Sequence, residues 1–215
     1  LKYPHAECIS KKSLSAFSKS YLSWCRRLGY NFSESKATTI YEFSCNCSTS
    51  LSFTESTALL VSNAISQLNC INETLASLAS EMNKIASTLP EYDIVMTMFG
   101  VGSVLGSQLI AEIGDVSRFS NKKSLVGFAG LDASPFQSGN FNPQSRSISK
   151  RGSAALRKTL FQVMQVILQH EPLGNSVFQF MDKKRSEGKH YFVYMTAAAN
   201  KFLRIYFARV TEHLL

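Results

Sequence analysis

Carboxylates are scarce where they would matter most. The 215 residues hold 15 Asp and Glu. Between 118 and 209 only Asp132, Glu171, Asp182 and Glu187 occur, scattered along the segment. No paired-carboxylate or metal-nuclease motif can be drawn from them, since Mg²⁺ chemistry needs several oxygens converging on one point. Proline (5) and glycine (11) are too few for a collagen-like or low-complexity chain. No run approaches the ~18 apolar residues of a membrane span, so no membrane partner is expected. No stretch alternates with period two, which excludes a strand-built fold. The five cysteines are odd in number and irregularly spaced. Cys45-Asn-Cys47 has no second pair to complete a zinc set, and reduced thiols point to the cytoplasm. The chain opens at Leu1 without a signal peptide, and it reads as the tail of a longer protein.

What is present is apolar (45%), rich in serine (31 residues) and unevenly charged. Residues 1–36 carry 7 Lys/Arg and 2 Asp/Glu, residues 37–117 carry 1 and 8, and residues 118–209 carry 15 and 4. Fifteen cations gathered in the last part of the chain repel one another unless a polyanion meets them, and nucleic acid is the expected polyanion. A merely solvated basic surface is the alternative.

The spacing of apolar residues predicts an all-α chain. Leu14, Phe17, Tyr21, Trp24, Cys25 and Leu28 form one face of a helix over 13–28, with Gly29 as terminator. Residues 30–50 lose the period and read as a connector. Ser52-Phe-Thr-Glu55 matches a capping box. After it Ala64, Leu68, Ile71, Leu75, Leu78, Met82, Ile85 and Leu89 make a heptad seam that Pro90 stops. That seam implies either self-association, a helical hairpin, or packing on the chain's own domain. The organisation is then a helical remnant and connector (1–50), a coiled-coil-like linker helix (51–90) and a helical domain (91–215). Within the domain a helix runs to about Glu112, another from Ser120 through Phe128, one from Ser153 to Pro172, a short one from Asn175 to Gly188, and the last from His190 to about His213. The last helix turns Phe192, Ala199, Phe202, Ile205, Tyr206 and Val210 inward and keeps Lys201, Arg204 and Arg209 on a basic side.

Three features carry chemistry. Gly100-Val101-Gly102 opens a helix as an apolar–Gly–apolar–Gly turn, the pattern of a helix–hairpin–helix. Close backbone approach and free amides would there cradle a phosphate without reading sequence. Residues 130–153 form a long Gly/Pro/Ser/Asn loop ending in Lys150-Arg151-Gly152. Arg157 and Lys158 follow in the first turn of a helix, the unfavourable end for a cation, which points to an anion nearby. Within the loop Ser138, freed by Gly139, is the interesting hydroxyl. A serine can attack a phosphodiester when neighbouring groups hold the developing charge. A serine–lysine pairing of Ser138 with Lys150 is arithmetically open as well.

From Phe99 to about Phe207 the chain resembles the C-terminal transposase domain of the one-hundred-and-ten family of insertion sequences, the DEDD/serine or bridge-RNA-guided recombinases. The resemblance rests on ordered blocks. They are Gly100-Val-Gly102; Ala111-Glu-Ile-Gly-Asp115 with Arg118-Phe-Ser120; Phe128-Ala-Gly-Leu-Asp132; Ser134-Pro-Phe-Gln-Ser-Gly139; Ile148-Ser-Lys-Arg-Gly152; and Leu156-Arg157. It implies that Ser138 is a nucleophile that becomes covalently linked to DNA. It implies a Mg²⁺-binding RuvC-like domain with four acids, a guide RNA, and protomers associated through the heptad helix as a dimer or tetramer. Ala133 and Asn140 stand where the family usually has proline and a basic residue. Residues 1–50 hold only Glu7, Glu34 and Glu42 and no Asp, so the four-acid set is absent and no cofactor is expected on this chain alone. The chain therefore reads as an N-terminally truncated transposase or a fragment of one. Gly100, Gly102, Gly139, Lys150, Arg151, Arg157 and Lys158 are the candidate nucleic-acid contacts. The alternative is a helix–hairpin–helix module that binds nucleic acid without chemistry. A helical self-association protein with an incidental basic face is a third reading.

Overall fold

A computed structural model describes residues 2–133 and 147–215. Among the described residues there are ten α-helices, a 3₁₀ turn and one isolated antiparallel bridge, Ala133 to Ile148. The expected all-α class is what the structure shows. The chain divides into two compact units, Leu1–Ala76 and Ser77–Leu215.

The first unit holds α1 (Glu7–Ser10), α2 (Leu14–Leu28), α3 (Glu34–Asn46) and the start of α4 (Glu55–Ala86). Ser13 caps α2 by accepting from the Ala16 amide, and Gly29 closes it at φ 72°. Phe17 is buried, stacked on Tyr21 at 5.9 Å and met edge-on by Tyr3 at 5.5 Å. The connector expected over 30–50 is instead largely α3. Ser33 caps it by accepting from the Lys36 amide, and the Thr38 and Thr39 hydroxyls return to the Glu34 and Ser35 carbonyls. Its buried face consists only of Ala37 and Ser44. Small and polar residues suffice there because α1 and α2 pack directly on this helix, and such a face leaves no apolar period to read.

The capping box of α4 lies two residues beyond the expected one. The Thr54 hydroxyl accepts from the Thr57 amide at 3.1 Å, and the Thr57 hydroxyl accepts from the Thr54 amide at 2.8 Å. Two hydroxyls thus close the reciprocal pair that Ser52 and Glu55 were expected to form. The heptad seam runs along α4 and just past it. Its larger residues stand in solvent: Ile71, Leu75 and Leu78 are 56–58% exposed.

The second unit holds the end of α4, then α5 (Tyr92–Met96), α6 (Ser103–Ile113), a 3₁₀ turn (Val116–Arg118) and α7 (Lys122–Phe128). It continues with α8 (Ala154–His170), α9 (Ser176–Ser186) and α10 (Tyr191–Leu214). The core sits around α10, which packs on α5, α7, α8 and α9, while α6 packs on α8. Leu109, Leu125, Leu160, Met164, Met195, Phe202 and Tyr206 fill it. The expected ends hold to within a residue or two. Asn121, not Ser120, caps α7 by accepting from the Lys123 and Ser124 amides. Phe192, expected inward, is 63% exposed.

Candidate nucleic-acid interface

The site is built at the base of the long loop, where backbone packs on backbone. Ser149 donates from its amide to the Asp132 carbonyl at 2.8 Å, and Lys150 to the Gly130 carbonyl at 3.1 Å. Ser153 donates to the Phe128 carbonyl at 2.7 Å. The Asp132 carboxylate accepts from the Ser149 hydroxyl at 2.6 Å. Segments 128–133 and 147–153 thereby run side by side, and the bridge between Ala133 and Ile148 brings the two ends of the loop together. Glycine is required on both sides. A Cβ on Gly152 would overlap the Phe128 carbonyl, and one on Gly130 (φ 65°) would lie 2.7 Å from Arg157 Nη1. Lys150 itself holds a left-handed backbone at φ 54°.

Arg157 locks this base. Its Nη1 donates to the carbonyls of Ala129 at 3.1 Å, Gly152 at 3.0 Å and Ser153 at 3.3 Å. The cation at the N-terminal end of α8 is explained by these carbonyls, and no anion is needed to account for it. Ser153 caps α8 by accepting from the Leu156 amide and donates to Glu112 Oε2 at 2.9 Å, which ties the end of α6 to the start of α8.

Lys150, Arg151 and Lys158 are exposed around this base. Gly100 faces elsewhere, into the core. A Cβ there would meet Ile167 Cγ1 at 3.0 Å and the Val163 carbonyl at 3.2 Å, at φ 83°. Close packing of the turn on α8 accounts for that glycine. Gly102 caps α6 with open space around it. Ser138 and Gly139, with the rest of 134–146, lie outside the described residues.

The four acids of the basic segment 118–209 are spent on its own groups. Glu187 accepts from Lys184 Nζ at 2.7 Å, which holds its carboxyl below the usual carboxylate range. Asp182 and Glu171 both approach Arg185, at 2.9 and 3.7 Å. Asp132 is taken by Ser149. Among the described residues no three His, Cys, Asp or Glu gather as a metal site, and residues 134–146 contain no acid. The side chains described therefore do not fit the Mg²⁺ that the resemblance implies. None of the six ion pairs among the described residues involves Lys150, Lys158 or Arg204. Nor do the described residues include a helix long and apolar enough to cross a membrane.

Beside the loop base opens a cavity of about 860 Å³ in which Lys150, Lys158 and Arg204 meet Phe161, Phe180 and Phe192. The sequence placed Arg204 on a basic face but did not single it out, and missed the aromatics. A signal existed: Phe192, Thr196, Asn200 and Arg204 step by four along α10, and all four line the cavity.

Residues 92–179 match the model of the Transposase IS116/IS110/IS902 family. Over 122 residues, 56% of this chain and 30% of the relative, the chain is 27% identical to an uncharacterized 42 kDa protein of insertion element IS900 from Mycobacterium paratuberculosis. Over 110 residues, 48% of this chain and 30% of the relative, it is 28% identical to the transposase for insertion sequence element IS1111A from Coxiella burnetii. The matched stretches thus span under a third of the relatives' own length. The family match includes the whole loop, its base and α8.

Proposed function

We propose that this chain is the serine-bearing part of a DNA transposase, with Ser138 as the nucleophile. The observation that carries the reading is the match of residues 92–179 to a transposase family model, centred on the loop whose ends the Gly130–Gly152 contact joins. In this reading Lys150, Arg151 and Lys158 hold phosphates of the DNA backbone or of a guide RNA, and Gly102 and Gly139 offer backbone amides to the same strand. Arg157 acts through the loop base, as a positioning residue.

The Ser138 oxygen forms a phosphoester with the DNA phosphorus. The displaced deoxyribose oxygen leaves as a hydroxyl, taking up the proton that the serine gives up. Acids that bind Mg²⁺ are assigned to a domain absent from this chain. Protomers assemble through the seam of α4. The alternative, a module that binds nucleic acid without chemistry, is favoured by the lack of a carboxylate site among the described residues.

Covalent trapping separates the two. The chain alone is expected to shift duplex DNA but form no adduct. Supplied with the acid-bearing domain, guide RNA and Mg²⁺, it is expected to form a protein–DNA adduct resistant to denaturation. Ser138→Ala abolishes that adduct, and Ser134→Ala, four residues earlier, keeps it. An adduct that survives Ser138→Ala sinks the assignment, and no adduct under any condition leaves the binding module.

A further inference from the structure

We infer that the cavity between α8, α9 and α10 is a binding site for one unpaired nucleotide, its base stacked on Phe192 and its phosphate held by Arg204, Lys150 and Lys158. The inference rests on the reading of the chain as a nucleic-acid protein and deepens it, because paired strands would not need such a site. A duplex offers cations its phosphates and hides the faces of its bases. Aromatic side chains beside cations therefore serve unpaired strands, whose bases have a free π-face.

The cavity combines the two chemistries in one place. Its volume of about 860 Å³ lies within the ~300–1,000 Å³ usual for small-ligand pockets. Phe161, Phe180 and Phe192 reach it from three different helices. Phe192 is 63% exposed, an unfavourable place for a phenyl ring that a stacked base would cover. Its ring is already aligned by His190, stacked at 5.9 Å, and by Tyr191, edge-on at 5.2 Å.

The field of the cavity has one sign. Lys201 Nζ lies 5.0 Å from the centre of the Phe180 ring, adding positive charge behind the four lining cations, Lys150, Arg157, Lys158 and Arg204. No acid lines the cavity among the described residues. Asn200 and Thr196 supply neutral polar groups on its α10 side, the kind that bond a base edge without demanding one base. An acidic peptide would use the cations and leave the aromatic faces uncovered.

The test compares labelled twelve-nucleotide oligo-dT, oligo-rU and a twelve-base-pair duplex against the full chain by fluorescence anisotropy. The ratio of single-strand to duplex affinity is expected to fall about tenfold in Phe192→Ala, within the range of one lost base–aromatic stack. It is expected to stay within twofold in Phe192→Tyr. A 2-aminopurine placed in the oligonucleotide should be quenched on binding, with the quenching lost in Phe192→Ala. Tighter binding of dT than of rU, or the reverse, with the same response to Phe192→Ala, identifies the strand as DNA or RNA and supports the site. Duplex binding with an unchanged ratio in Phe192→Ala overturns the site while the transposase reading stands. Binding of neither single strand nor duplex overturns both.

Discussion

At the scale of single residues, Arg157 and Lys158 show how neighbours in sequence part company. Both are cations in the first turn of α8. Arg157 is folded onto three backbone carbonyls, whereas Lys158 reaches solvent at the cavity rim. Arg157→Ala strips these partly buried carbonyls of a charged donor, a loss of about 1.5–3 kcal/mol where one such hydrogen bond is worth that much. Lys158→Ala removes an exposed head group and should change stability by less than ~0.5 kcal/mol. Urea denaturation of the two variants checks this. Equal midpoints would mean that the Arg157 contacts contribute nothing net. Gly152 and Gly130 belong to the same lock, since neither tolerates a Cβ where the two segments touch.

At the scale of elements, α4 is the helix whose seam is most at odds with its surroundings. Leu68, Ile71, Leu75, Leu78 and Ile85 are each more than half exposed on one heptad face. Packing of this face on the chain's own domain, one of the three readings of its period, is not what the structure shows. Burying a Leu or Ile stabilises by roughly 1.5–3 kcal/mol, so a second copy would gain several such contributions along the seam. Leu75→Lys places a charge at its middle. Sedimentation should show an oligomer of the parent chain and a shift toward monomer in the variant. A monomer in both cases removes self-association. The reciprocal cap of this helix joins Thr54 and Thr57 and makes no use of the Glu55 carboxylate.

At the scale of the whole molecule, the decisive quantity is which cations remain available to a polyanion. The count of 15 in the basic segment overstates it. Arg185 and Lys184 are paired with acids, Arg157 is bonded to backbone, and Arg118 lies over the Phe119 and Phe128 rings at 4.7 and 4.6 Å. Lys150, Lys158 and Arg204 are left at one cavity. Duplex binding should fall with salt, and Lys150→Ala or Lys158→Ala should each reduce the slope of log K against log salt by about one unit, uniformly across sequences. Anisotropy titrations between low and moderate salt measure it. A sequence-selective loss would mean direct base reading and would count against backbone contact.

The all-α class and the ends of α2, α6, α8, α9 and α10 could be read from the sequence alone. Apolar spacing, Ser and Asn caps and Gly29, Gly114 and Pro172 act locally, within a turn or two of helix, so neighbouring residues determine them. The candidate serine, Ser138, is proposed from blocks of residue identity and lies outside the described residues. What required the tertiary structure was every assignment that depends on a partner distant in sequence. α3 is held by α1 and α2 rather than by an apolar stripe of its own. Gly100 is set by Val163 and Ile167, more than sixty residues on, and Gly152 by the Phe128 carbonyl. The sequence shows the charge of Arg157, which suggests an anion ligand, but not the carbonyls of Ala129, Gly152 and Ser153 that receive it. A helical period tells which residues share a face and so suggests Phe192 as core, while only the packing of α8, α9 and α10 decides whether that face meets the interior or a cavity.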